Sequence, residues 1–71
     1  MSAKKRLLKT RLAEYNNAVS ELGEVRSSLG EAYSRFENAA DPDLLDACIF
    51  EISALRARYN RAVRNLKSLY F

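Results

Sequence analysis

Apolar residues recur along most of this chain in steps of three and four, and one short interruption divides the pattern in two. From Leu45 the positions run Leu45, Cys48, Ile52, Leu55, Tyr59, Ala62, Leu66 and Leu69. Such spacing keeps one stripe of an α-helix turned toward a partner, because each heptad nearly completes two helical turns. The preceding stretch, from about Ser2 to Ala39, carries a similar stripe through Leu8, Leu12, Tyr15, Val19, Leu22, Arg26, Leu29, Tyr33 and Phe36. Arg26 alone breaks it. Val25 beside it lets the stripe rotate locally, while the arginine stem covers apolar surface and its guanidinium reaches water.

The interruption is Asn38 to Asp43. Asp41 can accept hydrogen bonds from the free N–H groups at a helix start, and Pro42 at the first helical position needs no donor. Asp43 and Asp46 add negative charge at the positive end of the helix dipole. The pattern predicts one domain, 1–71, with a helix at about 3–39, a turn at about 40–41 and a second helix at about 42–69. So short a connection makes the helices antiparallel neighbours. A register then pairs Phe36 with Leu45, Tyr33 with Cys48, Leu29 with Ile52, Arg26 with Leu55, Leu22 with Tyr59, Val19 with Ala62, Tyr15 with Leu66 and Leu12 with Leu69. The two residue numbers have the same sum in every pair. The expected fold is all-α, a coiled-coil-like antiparallel two-helix hairpin.

Composition sharpens this picture. The chain has 71 residues with one cysteine, no histidine, two glycines and one proline. Cys48 therefore forms no intramolecular disulfide, and a structural zinc site lacks its usual ligands. Domains this small commonly need such a staple or an oligomer, so self-association is the expected source of further stability. Gly23 and Gly30 lie one heptad apart, where they either loosen the first helix or let a neighbouring helix approach closely.

The start of the second helix shows where cover is missing. Leu44, Ile49 and Phe50 fall off the stripe, and Ala47, Phe50, Ala54 and Ala57 form a second line on the outer face. A helix apolar nearly all round is a buried helix. Leu44, Ala47, Ile49, Phe50, Ala54 and Ala57 are thus the expected oligomer interface. Its simplest product is a homodimer, two hairpins in a four-helix bundle; an unidentified protein is the other candidate partner.

Charge divides along the hairpin once the chain is folded at Asp41. Residues 1–20 and 55–71 hold ten basic side chains against Glu14, a net of +9, whereas residues 21–54 hold Arg26 and Arg35 against eight acids, a net of −6. Arg61, Arg64 and Lys67 suit the end of a helix, but Lys4, Lys5 and Arg6 oppose the dipole at the start of one. With Lys9, Arg11 and Arg58 they make the candidate contact for nucleic acid or an anionic membrane surface. No helix-turn-helix, zinc finger or RNA-stacking motif accompanies them, so a solvated charged face is the plainer reading.

Nothing in the chain recommends catalysis. It offers no histidine base and no phosphate-cradling glycine loop, and Cys48 falls on the apolar stripe, where a structural thiol is expected. Asp41, Asp43 and Asp46 lack the loop spacing of a calcium hand and are explained by capping. The expectation is a non-enzyme with no cofactor and no metal. No run of about 18 apolar residues is present, and the basic N-terminus is not followed by the apolar region of a signal peptide. A lone thiol without an export signal points to a reducing cytoplasm.

The run Phe36-Glu37, Asp41-Pro42-Asp43-Leu44-Leu45-Asp46, Ile49, Glu51-Ile52, Ala54-Leu55, Ala57-Arg58-Tyr59-Asn60 and Lys67 resembles the YaaL-like family, small uncharacterised proteins of spore-forming Gram-positive bacteria. The resemblance covers about residues 36–67; before it, only the basic N-terminus and helical character are shared. It implies a cytoplasmic bacterial protein and carries no activity, cofactor or substrate onto these positions. The functional expectation is a non-catalytic helical interaction module, self-associating through the outer face of the second helix. The alternative is a small protein that binds nucleic acid or an anionic surface through its basic open end.

Overall fold

The computed structural model describes residues 2–69. Helix α1 spans Ala3–Asn38 and helix α2 spans Pro42–Ser68, and the two pack against each other as an antiparallel hairpin. The rod has Cα extents of 60 × 14 × 13 Å and a radius of gyration of 17.1 Å. A compact domain of this length would have a radius near ~11 Å.

Local chemistry sets the helix ends. The Ser2 hydroxyl accepts a hydrogen bond from the Lys5 N–H at 3.3 Å, and the Ser2 carbonyl accepts from the Arg6 N–H at 3.2 Å. At the other end of α1 the Ala39 N–H donates to the Phe36 carbonyl, and the Asn38 amide donates to the Ser34 carbonyl. Asp41 leaves the helical region at φ −75°, ψ 129°, and its carboxylate accepts from the Asp43 N–H at 2.8 Å. Pro42 at the first position of α2 costs no hydrogen bond there. The break therefore falls where the sequence predicts it, with Ala39–Asp41 as the connection.

In α2 the stripe is the predicted one. Cys48, Leu55 and Ala62 are buried, and Leu45, Ile52, Tyr59, Leu66 and Leu69 are half-buried beside them. In α1 every second position differs from the expectation. Ala18, Val25 and Ala32 are buried, whereas Val19, Arg26 and Tyr33 are exposed; Leu8, Leu12 and Phe36 are exposed as well. The line Tyr15, Leu22, Leu29 can be completed into a three-four pattern by stepping either three or four residues onward, and both choices look periodic. The structure steps three. That choice keeps the Arg26 guanidinium in water, where its burial without a partner would be costly. It also sets Ala18 and Ala32 opposite a line that includes Cys48 and Ala62, so the backbones can approach closely.

The helices differ in length. At 1.5 Å per residue, the 36 residues of α1 outrun the 27 of α2 by about nine residues. Since the turn joins them at the other end, the excess lies at the start of α1. Every residue from Ser2 to Glu14 is exposed.

Both glycines face open space, with nothing within 4 Å of a Cβ built on either. Gly23→Ala and Gly30→Ala should each stabilise the helix by about 0.5–1 kcal/mol. Ala62→Leu, at a fully buried position, should instead overpack the helix contact and cost about 1–3 kcal/mol. Thermal melts followed by circular dichroism measure both, with opposite shifts in midpoint expected.

Candidate interaction surface

The buried line divides each helix into two unlike sides. Residues three positions after a buried residue lie to one side of the line, and residues four positions after it lie to the other. On the first side α1 presents Glu21, Ser28 and Arg35, and α2 presents Glu51, Arg58 and Asn65. Arg35 forms an ion pair with Glu51 across the two helices, so these two sides coincide in the hairpin. A shallow groove lined by Glu14, Asn17 and Glu21 of α1 and Asn65 and Ser68 of α2 continues the same polar side toward the open end.

The opposite side is apolar along its length. There α1 presents Tyr15, Leu22, Leu29 and Phe36, and α2 presents Leu45, Ile52, Tyr59 and Leu66. One position after each buried residue, Val19 and Tyr33 on α1 and Ile49 and Val63 on α2 widen this side outward. Only Arg26 and Arg56 interrupt it. Val19 is 44% exposed, Tyr33 42% and Ile49 49%, values that leave much of each side chain in water.

The residues predicted to form an interface do not share one face. Phe50 is the most exposed large apolar residue described, at 75%, and Leu44 is also exposed. Ala47, Ala54 and Ala57 accompany Phe50 on the back of α2 and offer little area. Ile49, one residue from Phe50 and therefore turned by about 100°, belongs with the apolar side of the hairpin. The sequence signal for that side is Val19, Tyr33 and Ile49, of which the first two also fit the expected buried seam.

The basic candidates also divide. Lys4, Lys5, Arg6, Lys9 and Arg11 lie on the exposed start of α1, with Leu7 and Leu8 exposed among them. Lys4, Leu7, Leu8 and Arg11 line a small apolar depression there. Arg58, Arg61, Arg64 and Lys67 are exposed along the last turns of α2. At the turn end, Glu31 and Glu51 surround Arg35, and the Glu51 hydrogen bond raises the Arg35 guanidinium above its ordinary range, so it stays charged. Both partners of that pair are exposed, and its stabilising effect is small and screened by salt.

Among the described residues, no group of three His, Cys, Asp or Glu is placed to hold a metal ion. No helix among the described residues is long and apolar enough to cross a membrane. Comparison with family models, with curated proteins and with solved structures finds no match.

Cys48 is buried, with 4% of its surface exposed. Its thiol should react with a disulfide reagent far more slowly in the native protein than in denaturant. A native rate equal to the denatured rate would show that the hairpin opens freely at this point.

Proposed function

We propose that this chain is a non-catalytic helical interaction module whose main partner is a second copy of itself. One observation carries the reading. The chain exposes 5695 Å², about 1,200 Å² more than a compact monomer of 8.1 kDa would leave in water. Of the nine large apolar residues exposed among those described, six lie along one side of the hairpin, and a contiguous apolar surface of that kind marks an interaction site. Two packed helices have no third layer to cover it.

The working environment in this reading is a reducing cytoplasm, which suits a single buried thiol. The resemblance of residues 36–67 to the YaaL-like proteins agrees with that compartment and assigns no reaction. Self-association should appear in sedimentation or light scattering at micromolar concentration as a species of twice the chain mass. A species of 8.1 kDa alone would end the proposal.

The start of α1 favours a second reading, in which the basic open end binds an anionic surface or nucleic acid. Lys4, Lys5, Arg6 and Lys9 project beyond the last turn of α2, where they oppose the dipole of their own helix. Under this reading the wild type binds a short DNA duplex or phosphatidylserine vesicles at low salt, and Lys4→Glu/Lys5→Glu/Arg6→Glu abolishes binding. Affinity that is already gone at about 150 mM salt leaves only a solvated charged face.

A further inference from the structure

We infer that the second copy packs on the apolar side of the hairpin in reversed orientation, the turn end of each copy lying over the open end of the other. This rests on the self-association reading above and adds to it a face, a direction and a register. Six of the exposed large apolar residues, Leu8, Leu12, Val19, Tyr33, Phe36 and Ile49, lie on the side marked out by Leu22, Leu29, Ile52 and Tyr59. Phe50 and the alanines on the back of α2 do not continue this surface. A face about as long as the 60 Å rod and 14 Å wide offers roughly 800 Å² per copy, the standard size of a stable protein interface.

Charge at the rim selects the direction. Beside the apolar side, Glu37 of α1 and Asp46 of α2 stand at the turn end, while Lys9 of α1 and Lys67 of α2 stand at the open end. Two copies with their turns together would set acid beside acid and base beside base. Reversed copies set Lys9 near Glu37 of the second copy and Lys67 near its Asp46. Complementary rims of this kind fix register and suppress the wrong arrangement even where each pair adds little affinity.

The spacing of α1 gives the register. Leu8, Tyr15, Leu22, Leu29 and Phe36 are one heptad apart, so their line is symmetric about Leu22. A two-fold axis crossing the rod at Leu22 sets Leu8 against Phe36 of the second copy and Leu12 near its Tyr33. The exposed start of α1, which extends past α2 of its own chain, is thereby laid over the turn end of the other chain. The product is a four-helix assembly in which α1 packs on α1 and α2 on α2, each pair antiparallel, with the two-fold symmetry that makes an interface self-complementary.

The test uses the full chain with Cys48→Ala, carrying either Leu12→Cys or Tyr33→Cys at positions exposed in the hairpin. Mixed under oxidising conditions, the two variants should give the hetero-disulfide in clear preference to either homo-disulfide. Val19→Glu with Ile49→Glu should weaken association roughly tenfold or more, because charge would enter a desolvated surface, whereas Phe50→Glu should change it less than about twofold. Circular dichroism on each variant checks that helix content is kept. Sedimentation of the wild type as a monomer would overturn self-association altogether. A dimer that cross-links Leu12→Cys to itself, or that yields to Phe50→Glu and not to Val19→Glu with Ile49→Glu, would leave self-association standing and overturn the face and direction inferred here.

Discussion

The close approach of two lines of mostly small side chains is the constraint on which this structure depends. Ala18, Val25 and Ala32 on α1 run beside Ala62, Leu55 and Cys48 on α2, and these six are the buried ones among the described residues. Small side chains allow the backbones to come near, and each heptad returns the same line to the contact. Apart from Val25 and Leu55, the larger residues lie beside this contact and not within it. Tyr15, Leu22, Leu29, Ile52, Tyr59 and Leu66 are consequently displaced to one flank, where each is half-buried.

That displacement is not symmetrical, and the asymmetry leaves one flank of the hairpin polar and the other apolar. Polar residues occupy the flank marked by Arg35 and Glu51, so water can satisfy it without a partner. The other flank collects aliphatic and aromatic groups from both helices, which water satisfies poorly. A hairpin of this kind has an inside only along one line, and its apolar flank is a half-core. In the association proposed above, the acidic turn and basic open end give this flank a direction, since equal ends repel when copies stack in the same sense.

The stripe of α2, the cap at Asp41 and the break between the helices were legible in the sequence because each rests on local chemistry. Pro42 and Asp41 act on their own backbone, and in α2 the line through Cys48, Leu55 and Ala62 is apolar throughout, whereas the rival line through Ile49 and Val63 is broken by Arg56. In α1 two lines compete. Ala18 and Ala32 are smaller than Val19 and Tyr33, so size alone favours the wrong one. Arg26 was the warning, and the local rotation inferred beside it extends in fact through Ala18, Val25 and Ala32. A seam through Val19 and Tyr33 hides the apolar flank and leaves Phe50, on the back of α2, as the most conspicuous apolar residue outside it.

By itself, then, the sequence determined two helices, their limits, their antiparallel order and the separation of charge between turn and open end, all of which follow from spacing, capping and the chain's connectivity. Only the tertiary structure decided which line of α1 enters the contact and which side of the hairpin remains apolar. The physical reason is that helical periodicity specifies a stripe about 100° wide but not its centre. The centre is set by how closely the facing helix can approach, a quantity that depends on Cys48, Leu55 and Ala62 as much as on α1 itself.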